Sequence, residues 1–175
     1  MYSRSRPRHF DTAKVAAPRS TRRTLHAEVL SGVRRLERGL RLTAHQARHT
    51  TGLSAAQLFL LETLSEGPAL SIADLAARTH TDRSSVSVLV DRLSGAGLVK
   101  RSLSSEDRRR TETRITVRGR AVLASAPLSP TSALMHALGR LSEARVRQLA
   151  SALAALNNEL GYTESAMLFE ELSPD

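Results

Sequence analysis

The sequence predicts a mainly α-helical fold (α+β) with one small β-hairpin, and three observations predict it. Apolar residues recur at spacings of three and four over much of the 175-residue chain, as amphipathic helices require. A Gly95-x-Gly97 break ends one of these helical patterns. Two short strand-like runs follow, residues 98–101 and 111–115, around a turn-forming basic stretch at 104–110. Helix, turn, helix and hairpin in that order make a winged helix-turn-helix. Long helical patterns stand before and after it.

Residues 1–23 mix Ser, Arg, Pro and Ala with few large apolar side chains. Such a composition cannot bury enough surface to fold, so a disordered basic arm is expected. It either adds nonspecific phosphate contacts or is simply an unstructured start. From 24 to about 49 a long helix is expected. Leu25, Val29, Val33, Leu36, Leu40, Ala44 and Ala47 form its apolar stripe, and Arg34, Arg35, Glu37, Arg38 and Arg41 lie off it. A stripe of that kind must pack against something. Ser54 and Gln57 have the spacing of a capping box for a helix carrying Leu58, Leu61 and Leu64, which Gly67-Pro68 ends.

Residues 71–119 are the centre of the pattern. Ser71 and Asp74 resemble a capping arrangement. Ile72, Leu75 and Ala76 give the apolar face of a short helix, and Thr79-His80 makes the turn. Thr81 or Asp82 caps the next helix. Val86, Leu89, Val90 and Leu93 share one face of it. The other face carries Arg83, Ser84, Ser85, Ser87, Asp91 and Arg92, with Val88 its one apolar member. Small polar side chains let a helix backbone come close to a major groove. Ser bonds to bases or phosphates, and Arg to phosphates or guanine. Gly95 and Gly97 are expected to stop this helix, since Gly tolerates a left-handed backbone.

The hairpin tip carries Asp107, Arg108, Arg109 and Arg110. A tip this basic suits a minor groove. Residues two apart on an extended arm project to one side, so Asp107 can hold the Arg109 guanidinium. Arg108 and Arg110 then point the other way, to phosphates or solvent. Thr116 caps the next helix, with Val117, Ala121, Val122 and Leu123. Pro127 and Pro130 are expected to break it. The pattern resumes at Leu134, Leu138 and Leu141, and Ser142 caps a last helix through Val146, Leu149, Leu153, Leu156 and Leu160 to Gly161. Met167, Leu168 and Phe169 form an apolar trio in an acidic tail, with a partner subunit as one docking candidate.

Charge placement separates functional classes. The net charge is +9. Residues 1–23 hold seven basic and one acidic side chain, residues 71–120 eleven and six, and residues 121–175 three and six. The excess on the central motif is the footprint of a nucleic-acid surface. No Cys is present, so disulfides, thiolate metal sites and cysteine redox sensing are excluded. No run is long and apolar enough for a membrane span, which makes the cytoplasm the default expectation. His45 and His49 share a helix spacing, but two ligands fall short of a zinc site, and surface or interface histidines explain them. No Gly-x-Ser-x-Gly or phosphate-cradling loop is present, and no enzyme and no cofactor are expected. Asp91 and Asp107 are read as partners of Arg92 and Arg109. The competing class is a winged helix used only for protein contact, which the polar face of the second helix disfavours.

The runs DRSSVSVLVDRLSGAGLVKR and SSEDRRRTETRITVRGRAVL strongly resemble the MarR family of bacterial transcription regulators. That family's wing carries Asp-x-Arg, matched by Asp107 and Arg109. Its following Leu-Thr-x-x-Gly is matched by Thr116 and Gly119, with Ile115 in place of the Leu. The resemblance is most specific from residue 54 to 123. It implies a DNA-binding winged helix-turn-helix at 51–120 and a helical dimerisation region at 24–50 and 121–175. It also implies a homodimer on a near-palindromic operator, associated with the bacterial nucleoid, and a small anionic or phenolic effector between the dimer helices and the DNA-binding lobe. The dimer contacts expected are Leu25, Val29, Val33, Leu36, Leu149, Leu153, Leu156 and Leu160.

Overall fold

The computed structural model describes residues 19–103 and 110–162. Seven helices and two strands follow in order: α1 (Arg19–Thr51), α2 (Ala55–Ser65), α3 (Ile72–Thr79), α4 (Arg83–Gly95), β1 (Val99–Leu103), β2 (Thr111–Ile115), α5 (Val117–Ser125), α6 (Pro130–Gly139) and α7 (Glu143–Leu160). The chain divides into two units at Gly39, inside α1. Within the described residues the sheet is one antiparallel pair, β1 with β2, registered Val99 to Ile115 through Leu103 to Thr111. An isolated bridge between Leu70 and Thr113 adds backbone hydrogen bonds in both directions, at 3.0 and 2.7 Å.

The larger unit is built around α2. Leu58, Leu60, Leu61 and Leu64 are all essentially inaccessible, so this short helix is buried on several faces. It packs on α3, α4, α5, α6 and β2. Leu75, Val86, Val90, Leu93, Leu98, Val99 and Ile115 complete the same core. Each such side chain contributes about 1.5–3 kcal/mol of hydrophobic stabilisation.

Local signals set the helix starts. Ser54 and Gln57 form the full capping box, at 2.9 and 3.2 Å. Ser71 and Asp74 form another, at 3.1 and 3.2 Å. Asp82, rather than Thr81, caps α4. Thr116 caps α5 and accepts from the Gly119 N–H at 3.0 Å. The Thr116 hydroxyl donates back to the Gly97 and Leu98 carbonyls, pinning α5 against the strand entry. A Cβ at Gly119 would lie 2.2 Å from the Leu98 carbonyl oxygen, so only glycine fits there.

Several expectations need correction. α1 starts at Arg19 rather than residue 24, because adding Arg-rich turns to an existing helix costs little once it is nucleated. Residues 1–18 of the expected arm lie outside the described residues. Gly95 is the last helical residue of α4, and it is Gly97, at φ +70°, that takes the left-handed turn. The break expected at Pro127 and Pro130 falls between α5 and α6: Pro127 lies in the connection and Pro130 opens α6. At a first helical position the missing N–H has no partner to lose. Ser142 occupies the cap position of α7 without a side-chain bond, and Gly161 ends the helix at φ +76°. The trio at 167–169 lies outside the described residues.

Two stripes remain uncovered. In the first unit Leu25, Val29, Val33 and Leu36 are all about half exposed. In α7 no residue is buried, and Leu149, Leu153, Leu156 and Leu160 keep 40–55% of their surface. Farther along the first stripe, in the larger unit, Ala47 is fully buried.

Candidate nucleic-acid interface

The short turn between α3 and α4 fixes the pose of α4. His80 ends α3 in the left-handed region at φ 52°, the only non-glycine residue to do so among those described. Its N–H donates to the Ala76 carbonyl. Two residues later Asp82 takes over as N-cap, accepting from the Ser85 N–H at 2.8 Å and from the Ser84 hydroxyl. Those donors, the Ser84 hydroxyl first, hold the Asp82 carboxyl well below the usual carboxylate range. Val86, Val90 and Leu93 then lock one face of α4 into the core. The face left outside carries Arg83, Ser84, Val88, Asp91 and Arg92, all exposed, with Ser85 and Ser87 half-buried at its margins.

The strands stand beside this helix. Arg101 Nη1 on β1 lies 2.7 Å from Asp91 Oδ1 on α4. Asp91 is therefore a partner of Arg101 and not of Arg92. Adjacent helical residues point about 100° apart, whereas the start of β1 runs close to the last turns of α4. Arg92 keeps an exposed side chain.

Arg110, expected to meet phosphate or solvent, is exposed to solvent and also reaches back to the start of α3. Its Nη2 lies 3.3 Å from Asp74 Oδ2 and 3.5 Å from the Ser71 hydroxyl. Asp74 is held below its ordinary value, chiefly by the Ser71 hydroxyl and N–H, with Arg110 and Arg78 adding to the effect. Asp107, Arg108 and Arg109 lie outside the described residues.

Two basic side chains escaped the sequence reading. Lys100 and Arg114 are direct cross-strand partners and both are exposed. Like charges placed opposite each other destabilise a hairpin slightly. The pair thus concentrates positive charge on one face of the wing at a small local cost. Period-two alternation through residues 98–101 and 111–115 carried the signal, but using it needed the register.

A family model described as MarR family matches residues 51–110. The HTH-type transcriptional regulator YdgJ of Bacillus subtilis (strain 168), itself uncharacterized, is 29% identical over 115 residues, or 66% of this chain and 70% of that protein. The chain is thus similar to MarR-family regulators, with the family model confined to residues 51–110. Solved structures share its fold. The transcriptional regulator BldR from Sulfolobus solfataricus is 25% identical at a TM-score of 0.50, covering 77% of this chain and 95% of that one. A MarR family protein from Bacillus stearothermophilus is 21% identical at a TM-score of 0.51, covering 80% and 97%. The family is one of transcription regulators and not of enzymes.

A cavity of about 270 Å³ opens between α2, the end of α3 and α6. Phe59 and Met135 supply apolar walls, and Glu62, Thr63, Glu66, Arg78, Ser132 and His136 supply polar ones. Glu62 is already engaged by the start of α6. Its Oε1 accepts from the Ser129 N–H at 2.8 Å, and its Oε2 from the Ser132 hydroxyl at 2.6 Å. This tie spans 67 and 70 residues of sequence, so spacing alone offered no way to find it. No helix among the described residues is long and apolar enough to cross a membrane.

Proposed function

We propose that this protein is a MarR-type, sequence-specific double-stranded-DNA-binding repressor that acts as a homodimer on a near-palindromic operator. Residues 51–120 read DNA, and residues 24–50 and 121–175 hold the dimer together. The observation that carries the reading is α4. Its apolar face is committed to the core, and its outward face is short, polar and flanked by Arg83 and Arg92. In each subunit α4 enters a major groove and the wing, with Asp107, Arg108 and Arg109, lies along the flanking minor groove. Ser84, Ser85 and Ser87 meet bases or phosphates. Arg110 braces the wing from behind.

The dimer rests on the two exposed leucine-rich stripes, for which a second copy of the chain supplies the cover. Two-fold symmetry then sets half-sites about one helical turn, ~34–36 Å, apart.

Ligand control belongs to the cavity beside Glu62. An anionic or phenolic effector would use Arg78 and the Phe59 and Met135 walls, with the Glu66 carboxylate beside them favouring a phenol over an anion, and would act by favouring a dimer geometry whose two α4 helices no longer match successive grooves. Operator and effector then weaken each other's binding by the same factor.

A mobility-shift titration at two salt concentrations tests the central claim. Binding to a selected operator should be far tighter than to random duplex and should fall steeply with salt. A protein-contact module would show little salt-sensitive binding, and that result would remove the DNA reading.

A further inference from the structure

Val88 stands apart on α4. Its three apolar neighbours in sequence turn inward: Val86 and Val90 are fully buried and Leu89 is half-buried. Val88 keeps 47% of its surface and has no place in the core cluster. At helical spacing it lies between Ser84 one turn before it and Asp91 and Arg92 one turn after. It is thus a lone branched apolar side chain in the middle of a polar face.

Isolated exposed apolar residues are common on protein surfaces and need no explanation by themselves. Here the surroundings supply one. A β-branched residue is among the weaker helix formers, so nothing in α4 favours valine over Ala, Lys or Arg at an outward position. Two of its neighbours at helical spacing are engaged within the protein. The Ser84 hydroxyl donates to Asp82, which leaves it only its acceptor capacity, and the Asp91 carboxylate is bound to Arg101. Between them the middle of the outward face presents an isopropyl group.

The major-groove edge of a base pair offers one apolar feature, the C5-methyl of thymine. We propose that Val88 is a specificity-determining residue that selects thymine in each half-site by packing its isopropyl group on that methyl. The proposal rests on the reading of α4 as the major-groove helix and adds to it a chemical preference at one position. Cytosine at that position would place its N4 amino group and a bare C5–H near Val88, with no hydrogen-bond acceptor on the side chain to meet the amine. Removing only the methyl, by placing deoxyuridine for thymidine, keeps every hydrogen-bonding group of the base pair. It isolates the apolar contact.

The test begins with selection of duplexes from a random pool by the full-length protein. Each thymine of the selected site is then replaced in turn by deoxyuridine, and binding is measured for the wild type, Val88→Thr and Val88→Ser. A buried methyl is worth roughly fourfold in affinity, so the wild type should lose about fourfold with one half-site altered and about fifteenfold with both. Val88→Ser should bind the thymine and deoxyuridine duplexes equally well. Val88→Thr, which keeps one methyl and the branched shape, should retain part of the penalty and guards against a folding artefact. The proposal is overturned if no single thymine in the half-site shows the penalty, or if Val88→Ser keeps it in full. A pool that yields no enriched motif removes the DNA reading itself and the proposal with it. A motif that appears without methyl dependence removes the Val88 assignment alone.

Discussion

The lobe around α2 and the last helix use the same kind of residue to opposite ends. In α2, Leu58, Leu61 and Leu64 recur at spacings of three and are buried to within 1%. In α7, Leu149, Leu153, Leu156 and Leu160 recur at spacings of three and four and stay 40–55% exposed. One pattern is satisfied inside the chain and the other is not. An apolar stripe states that a surface must be covered, and it does not state by what. The difference lies in neighbours: α2 is crossed by four helices and a strand, while α7 has no buried residue.

The largest expected effect attacks the uncovered stripe. Leu153→Asp removes one leucine from each copy, and a two-fold interface counts it twice. Leu153 has about half of its surface left to bury, so about 0.75–1.5 kcal/mol per leucine, roughly 1.5–3 kcal/mol for the pair, is lost; the desolvation of each buried Asp adds to it, and the dimer dissociation constant should rise by at least about 10- to 10²-fold. Sedimentation of the wild type at micromolar concentration should give a dimer, and the variant a monomer with near-native helix content. A stable wild-type monomer would break the comparison, because α7 would then expose its leucines for no structural reason.

Next in size comes the covered stripe. Leu61→Ala opens a cavity at the centre of the lobe and should destabilise it by about 2–5 kcal/mol. Urea midpoints with an unchanged slope would measure that loss. The two variants should separate cleanly: Leu61→Ala should lower the midpoint and keep its concentration dependence, and Leu153→Asp should lower it to a value that no longer depends on protein concentration.

Gly119→Ala sharpens the same contrast at a boundary. The added carbon would meet the Leu98 carbonyl oxygen at 2.2 Å and Ile115 Cγ1 at 2.8 Å. Backbone must move to admit it, so a loss of about 1–3 kcal/mol is expected in thermal or urea unfolding. Gly139→Ala in α6, where nothing lies within 4 Å of the added carbon, should be neutral or mildly stabilising. Equal behaviour of the two would sink the packing account of the Thr116-x-x-Gly119 motif.

What could be read in the sequence was what is local. Ser54 with Gln57, Ser71 with Asp74, and Thr116 act over three residues, so spacing alone located them. The helix-turn-helix order and the hairpin were legible because Gly97 and the change from helical to alternating periodicity mark them. Pro127 and Pro130 marked the break between α5 and α6, and only the role of Pro130 as first residue of the new helix was left open. The Asp91–Arg101 pair, the Glu62 tie to Ser129 and Ser132, and the turning back of Arg110 all join distant positions. Only the fold places them together. For the uncovered stripes, the periodicity that revealed them carried no information about their partner.

The smallest expected effect concerns that nonlocal tie at the base of the wing. Asp74 accepts from the Ser71 N–H and hydroxyl and sits 3.3 Å from the Arg110 guanidinium. These interactions favour the ionised form, so the folded-state pKa lies below the ordinary value of 3.8. A depressed carboxylate contributes stability that is fully present above its unfolded pKa. It is lost as pH falls through the folded value, since the unfolded chain then takes up the proton first. Stability should therefore be flat in this group at neutral pH and should decline below about 3.8. Asp82 is depressed by its own serine donors and adds to the decline in the same direction. Asp74→Asn should thus shallow the acid limb of a urea-midpoint profile between about pH 5 and pH 2.5 without abolishing it, and Asp74→Asn with Asp82→Asn should flatten it further. Arg110→Gln should shallow it less than Asp74→Asn, because the Ser71 donors outrank the guanidinium in holding the charge. An Arg110→Gln profile that matches Asp74→Asn would show that the long-range ion pair, and not the local cap, dominates at this junction.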